Sequence, residues 1–361
     1  MIKKIVSIVG IRPDFIRMSE IFKKLDANFE HIIVNTGQHY DKMLCDVFFD
    51  ELNIRKPDYN LQIGGPGKKH YHHLAEMAVK SSDLMSEINP DMILFLGDSN
   101  SVLVAPVLRK EGFKIGHIEA GMRSFDKRML EETNRIVCDH CSDKLFVYTE
   151  EYKANCLKEG ISENSVYVVG NTIVEVLNQF KEDIFKNPKK LDTILLDIHR
   201  PENFKYEYRL RNIISYALQC KSRYNKNIKM LKFPRTMEYI KEFNIDLSGI
   251  ELVELMSYRK FLQEQYDSFF CISDSGTAQE EPALLDTRVI VPRDYTERPQ
   301  SMKYKCSFMI NVGLFPVIGR SWESSWKFIE EKEKMDVSWL GDGRTSDNIV
   351  ESINSEFYKR K

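Results

Sequence analysis

No run of residues in this 361-residue chain is long and apolar enough to cross a bilayer or to form the core of a signal peptide; the first apolar run, residues 5–9, is Ile-Val-Ser-Ile-Val. An excess of charge is also missing. Lys and Arg total 52 against 54 Asp and Glu, a net charge of −2, so neither nucleic acid nor an anionic membrane surface finds its counter-charge. A cytoplasmic protein with neither partner is expected. The seven cysteines are odd in number and scattered along the chain, which argues against a disulfide framework and predicts reduced thiols.

Several site patterns are missing too. Cys138-Asp139-His140-Cys141 spells C-x-x-C, but no second pair accompanies it and the segment reads as helix. Core-facing thiols at helical spacing are expected there. His70, His72 and His73, beside the glycine-rich residues 64–67, read as a mobile surface loop; no carboxylate or cysteine at ligand spacing completes a site, so no metal is expected. Gly67-Lys68-Lys69 lacks the earlier glycine and the following Ser/Thr of a Walker loop. The first strand is not followed by G-x-G-x-x-G, so no dinucleotide cofactor is indicated, and low-complexity segments and internal repeats are missing.

What the sequence does contain is a regular alternation of apolar runs and polar, glycine-containing turns. Its length predicts two domains, and 42% hydrophobic with 29% charged residues suits a globular enzyme. Residues 4–9 read as a strand, broken by Gly10-Ile11-Arg12-Pro13; Phe15, Met18, Phe22 and Leu25 then recur at helical spacing, with Asp14 near the helix start. Strand, glycine turn, helix opens a doubly wound α/β domain.

Later strand ends carry Thr36-Gly37-Gln38-His39, Gly97-Asp98-Ser99, and Glu119-Ala120-Gly121-Met122-Arg123. Asp98 suits either a helix cap or acid/base work. A carboxylate at Glu119, followed by glycine and arginine, suits a crevice better than a core. Glu131 and Glu132 open a helix, where charge at the N-terminus would explain them.

A domain boundary is placed at residue 172. In the second half a strand over residues 194–198 ends in His199-Arg200-Pro201-Glu202-Asn203, and one over 268–272 ends in Ser273-Asp274-Ser275-Gly276. Residues 277–285 read as the first turns of a helix whose N-terminus suits a phosphate, with Glu280 and Glu281 in reach of a ribose. The next strand, 288–291, leads to the charge-dense segment from Arg293 to Pro299. Two consecutive strand ends aimed at one crevice read as a nucleotide site. A closing helix over 347–358 is expected to return to the first domain. The domains are then 1–172 with 346–361, and 173–345.

These motifs resemble the non-hydrolysing UDP-N-acetylglucosamine 2-epimerases over essentially the whole chain. The carriers are SDSG-x-x-QEE with R-D-x-TERP, G-x-R-P-[ED]-x-I-[KR] at residues 10–17, G-D-x-x-S at 97–101, H-x-EAG-x-R with EE-x-NR, and H-R-x-E-N at 199–203. The resemblance implies two doubly wound parallel-sheet domains facing across a cleft, the GT-B arrangement, with UDP in the second. It implies a homodimer acting on a UDP-N-acetyl sugar without cofactor, supplying glycan or polysaccharide synthesis.

By the resemblance Asp98, Glu119 and Glu132 are catalytic carboxylates, accompanied by His199 and Arg17. Arg12, Gln38, Arg123, Arg200, Glu202, Ser275 and Gly276 would bind substrate, Glu281 would hold the ribose, and Arg298 would help close the cleft. A hydrolysing epimerase and a GT-B glycosyltransferase are the alternatives. Leu130 stands where a proline is usual. Phe233 stands where relatives carry a histidine of a regulatory substrate site, which argues against substrate activation. The resemblance makes UDP-N-acetylglucosamine, giving the manno isomer, the default substrate, while Arg17 in place of lysine, the loop after Arg123, and Phe233-Pro234-Arg235-Thr236 lean toward a modified sugar, such as a 6-deoxy-L-hexosamine or a diacetamido uronic acid.

Overall fold

Strands written as KIVSIV, MILFL, KLFV and TILLD have little alternation, so both faces of each must be buried, which is the signature of a parallel sheet covered by helices. The computed structural model, which describes residues 2–37, 46–63, 69–315 and 317–357, has two such sheets. It divides into two units, Met1–Val176 with Leu340–Lys361, and Leu177–Trp339.

The first unit contains β1 (Lys4–Val9), β2 (Glu30–Asn35), β3 (Tyr59–Asn60), β4 (Met92–Leu96), β5 (Ile115–Ile118), β6 (Lys144–Val147) and β7 (Val166–Val168). They pair in parallel in the order β3-β2-β1-β4-β5-β6-β7. The second unit contains β8 (Thr193–Asp197), β9 (Asn227–Leu231), β10 (Glu251–Val253), β11 (Ser268–Ser273), β12 (Val289–Val291) and β13 (Ser307–Met309), in the order β10-β9-β8-β11-β12-β13, again parallel. Each sheet therefore reverses its winding once, between β1 and β4 and between β8 and β11. Chains leaving those neighbouring strands turn to opposite faces and open a crevice at their C-terminal ends.

Core residues follow from this layering. In the first unit Val6, Ile8, Ile93 and Phe95 lie against Met77, Met85 and Leu108. In the second, Ile194, Leu196 and Ile272 lie against Ile213, Ala217 and Phe328. The closing helix, Thr345–Phe357, belongs to the first unit. Lys24 reaches Asp347 at 2.7 Å, Asn348 donates to the Val169 carbonyl at 3.1 Å, and Glu175 accepts the Ser346 N–H at 2.9 Å. The units part just inside the helix Thr172–Ile184, a few residues beyond the point placed from sequence.

Two local readings need correction. His70, His72 and His73 are not loop residues: they form the first turn of the helix His70–Ile88. Residues 277–285 are not one helix but a 3₁₀ turn, Thr277–Gln279, and a short helix, Glu281–Leu284, broken at Glu280 (φ −122°, ψ −58°). Pro282 lacks the N–H that would carry the hydrogen-bond ladder through.

Ile349 and Ile353, fully buried on one face of the closing helix, tie it to the first unit. Ile349→Ala should lower unfolding free energy by about 2–5 kcal/mol. Urea unfolding measures this, and an unchanged curve would mean the helix contributes no packing.

Candidate active site

In the first unit the turns after β1, β4 and β5 converge. After β1, Asp14 folds back within its own helix turn, so that Oδ2 accepts the N–H groups of Gly10 (2.9 Å) and Ile11 (3.2 Å); Ser99, from the turn after β4, donates to the same oxygen at 3.3 Å. One carboxylate thus joins both sides of the winding reversal.

Asp98 does not cap a helix. Ser99 holds the N-cap position of the 3₁₀ turn Asn100–Val104, and the Asp98 carboxylate goes to Arg135 at 2.7 Å instead. Glu119, the first residue past β5, has φ +66°, a left-handed backbone that costs a glutamate on the order of 1–3 kcal/mol. That conformation turns its carboxylate into a pocket of guanidinium groups: Arg17 pairs with Oε2, and Arg135 lies 3.3 Å from Oε1. Arg135, itself buried, therefore bridges the two carboxylates. Glu132, two turns of chain away, accepts from Ser124 N (2.8 Å), Ser124 Oγ (3.0 Å) and Phe125 N (2.9 Å), and so anchors the loop after Arg123. Phe125 itself is exposed and held at φ +56°. Arg12 lies over the ring of Phe48 at 5.3 Å. Gln38 lies outside the described residues.

Arg123, expected at the substrate, has several partners within the protein. Its side chain is buried and donates to Glu159 at 2.8 and 2.7 Å, to Asp139 at 2.7 Å and to the Met122 carbonyl at 2.8 Å. These contacts fasten it to the helices behind the turn. Asp139 in turn contacts His117 Nδ1 at 2.6 Å and accepts the Gly121 N–H at 3.1 Å, while His117 Nε2 meets the Gly97 carbonyl at 2.8 Å. Burial pushes the His117 imidazole down, but Cys138 and the Asp139 carboxylate outweigh it and raise its pKa to about 10. Burial likewise opposes ionisation of Asp139, yet His117 and Arg123 hold it below the usual carboxylate range.

Sequence reasoning did not single out Arg135, His117 or Asp139 as working parts. One signal was there: Glu132, Arg135 and Asp139 recur at core spacing along the helix Leu130–Cys141 and are all buried. Polar residues on the buried stripe of a helix must have partners.

In the second unit the reversal lies between the ends of β8 and β11, and a buried carboxylate again joins them. Asp274 accepts the N–H groups of His199 (3.0 Å) and Arg200 (3.1 Å) and the Asn203 amide (2.9 Å). Burial raises its pKa. His199 Nδ1 contacts Asp197 at 2.9 Å, and the half-buried ring lies 4.8 Å from Phe233. Burial lowers the imidazole's pKa, but Asp197 and Asp274 outweigh it, and the net shift is upward. Ser275 N–H donates to Ser273 Oγ at 3.1 Å, and its hydroxyl lies 3.1 Å from that of Thr277.

Behind Gly276 the packing is tight. A β-carbon there would lie 2.6 Å from Arg298 Nη1 and 2.8 Å from Glu297 Oε1, so a larger residue would have to displace the ends of those two side chains. Arg298, expected to close a cleft, is buried and pairs with Glu280 at 2.9 Å and with Glu297. Glu280, expected near a ribose, is the buried partner in that pair. Glu281 is also buried and accepts from Tyr258 Oη at 2.9 Å. Glu202 lies 3.9 Å from Arg293, which also approaches Glu297 at 3.3 Å.

Two doubly wound parallel-sheet domains, each with charged groups gathered at its winding reversal, define a two-domain α/β enzyme, and both epimerase and more distant glycosyltransferase neighbours share this GT-B type of fold. The family model described as UDP-N-acetylglucosamine 2-epimerase matches residues 23–354. The chain is 35% identical to the UDP-N-acetylglucosamine 2-epimerase of Methanocaldococcus jannaschii, over 96% of this chain and 98% of that protein. A crystal structure of the M. jannaschii enzyme in complex with UDP-GlcNAc and UDP superposes with a TM-score of 0.87 at 33% identity, covering 97% of this chain and 99% of that one. The UDP-2,3-diacetamido-2,3-dideoxy-D-glucuronate 2-epimerase of Pseudomonas aeruginosa is 30% identical over 97% of this chain and 99% of its own length. The chain therefore belongs to the UDP-N-acetylglucosamine 2-epimerase family and is an isomerase of that type.

Burial pushes the Asp14 carboxyl up to about 7, against the N–H groups of Gly10 and Ile11, and nearby Asp98 adds to the rise. Its unfolded value is 3.8, so its contribution to stability is full below pH 4 and is lost as pH rises through 7. The loss is on the order of 4 kcal/mol. In Asp14→Asn the fall in Tm between pH 5 and pH 8 should flatten. Parallel Tm profiles for the two proteins would show that Asp14 holds no proton in the folded state.

Proposed function

We propose that this chain reversibly inverts C2 of UDP-N-acetylglucosamine, giving the manno isomer, as a supply step for glycan synthesis. The observation that carries the reading is the pair of carboxylates, Asp98 and Glu119, held at adjacent strand ends by one buried arginine. C2 of the sugar is not beside a carbonyl, so deprotonation alone is inaccessible. A base takes the C2 proton, the C–H electron pair becomes the C1=C2 bond, and the C1–O bond breaks to release UDP, leaving a 2-acetamidoglycal. UDP oxygen then returns to C1 while an acid protonates C2 from the opposite face. Hydrogen leaves as a proton, so the reaction calls for no hydride carrier.

Asp98, Glu119 and Glu132 are the acid/base candidates on the first unit, with Arg17 and Arg135 fixing Glu119. On the second unit His199, whose Nδ1 is held by Asp197, would offer its other nitrogen to the diphosphate, with Ser275 and Gly276 beside it. Arg12 and Arg200 supply further positive charge, Glu281 and Glu202 the polar contacts to the nucleoside. Arg17 pairs with Glu119, so its replacement of lysine answers a protein carboxylate and requires no altered sugar. That favours UDP-N-acetylglucosamine over a modified hexosamine.

In deuterated water both product and recovered substrate should carry deuterium at C2, with UDP not accumulating. Conversion without label at C2 rules out the elimination, and stoichiometric loss of UDP marks a hydrolysing enzyme. A panel containing UDP-N-acetylglucosamine, a UDP-6-deoxy-L-hexosamine and a UDP-diacetamido uronic acid decides the sugar; faster exchange on either modified substrate overturns the assignment.

Asp98→Asn and Glu119→Gln should each lower kcat by about 10²–10⁴-fold while UDP affinity changes far less. Near-normal rates in both would remove them from the reaction.

A further inference from the structure

We propose that His117 is a positioning residue for the epimerisation: with Asp139 it forms a buried clamp that fixes the turn carrying Asp98 against the turn carrying Glu119. The proposal rests on the acid/base roles given above to those two carboxylates.

The clamp is defined by donor and acceptor chemistry. His117 Nε2 faces the Gly97 carbonyl at 2.8 Å, and a carbonyl only accepts, so Nε2 carries a hydrogen. Nδ1 faces an Asp139 carboxylate oxygen at 2.6 Å. The other Asp139 oxygen takes the Gly121 N–H at 3.1 Å and the Arg123 guanidinium at 2.7 Å, which are donors to an anion. One carboxylate is thus connected to both turns. Through the imidazole it reaches Gly97, the residue before Asp98, and directly it reaches Gly121, two residues after Glu119.

Both turns adopt backbone conformations that need outside support, and part of it comes from the Gly97 N–H to the Ile118 carbonyl at 2.9 Å and from Asn134 to the Asp98 carbonyl at 2.9 Å. Gly97, Glu119 and Gly121 all have positive φ (71°, 66° and 73°), and a β-carbon at Gly121 would lie 2.5 Å from the Tyr152 carbonyl. Side-chain hydrogen bonds add to these in defining where Asp98 and Glu119 sit. The clamp supplies one to each turn from a single buried point, with every His117 and Asp139 side chain atom out of solvent. Buried ion pairs in general add little net stability. A role in placement gives this one a reason that stability does not.

The two ring nitrogens can be separated by substitution. Asn at 117 places its amide near the Nδ1 position and keeps the Asp139 contact alone, whereas Gln reaches the Nε2 position and keeps the Gly97 contact. His117→Asn should lower kcat for C2 exchange roughly 100-fold, the scale of a displacement of about 1 Å, with KM and UDP affinity within threefold. His117→Gln should recover at least tenfold of that loss, although both variants forfeit the same charge. Equal kcat in the two variants, or kcat within threefold of the parent in His117→Asn, overturns the proposal.

A crystal structure of His117→Asn gives a readout independent of turnover. The Gly97–Asp98 turn should shift and the Asp98–Arg135 contact should open within an otherwise unchanged first unit; an unmoved turn overturns the proposal. If Asp98→Asn retains full activity while His117→Asn loses it, the acid/base assignment fails and not the clamp.

Discussion

The end of a parallel strand leaves backbone N–H groups that no neighbouring strand can accept, and at a winding reversal two such ends lie side by side with helices leaving on opposite faces. Much of the polar architecture here answers that one constraint. Asp14 accepts from Gly10 and Ile11, Asp139 from Gly121, Glu132 from Ser124 and Phe125, and Asp274 from His199 and Arg200. In each case a buried carboxylate satisfies a turn that would otherwise be an expensive set of unpaired donors.

A buried carboxylate creates its own difficulty, since charge removed from water must be compensated. The molecule resolves it in two ways. Asp139 and Glu119 are surrounded by cations: His117 and Arg123 in one case, Arg17 and Arg135 in the other. Asp14 and Asp274 instead have raised pKa values, with burial as the largest cause. The strand-end turns therefore carry ionised and protonatable groups at close quarters. The proton transfer proposed above would draw on such a mixture, which the fold produces as a consequence of satisfying its own backbone.

The division of labour among arginines follows from the same logic. Arg123, Arg135, Arg293 and Arg298 are all buried, and each pairs with at least one carboxylate of the protein. A buried guanidinium with several fixed donors is well suited to organising carboxylates. From sequence Arg123 reads as a substrate contact, because a strand-end arginine next to glycine and glutamate has the same spelling in either role.

The doubly wound architecture, the strands β1, β4, β5, β8 and β11, and the family were legible in the chain, because buried parallel strands are uninterrupted apolar runs and the turns after them carry glycine and charge. The short edge strands β3, β10 and β13 were not, since two or three residues hold no period to read. Nor was the break at Glu280, where Pro282 ends a helix that the spacing alone would continue. Local sequence could say that Asp98, Glu119 and His199 lie at strand ends. It could not say that Arg135 joins the first two, that Arg123 turns inward to Asp139, or that Asp274 reaches across to the His199 turn. The last of these joins residues 75 positions apart, and the sheet order that sets β8 beside β11 decides it; the first two depend on how the helix Leu130–Cys141 packs against the turns after β4 and β5.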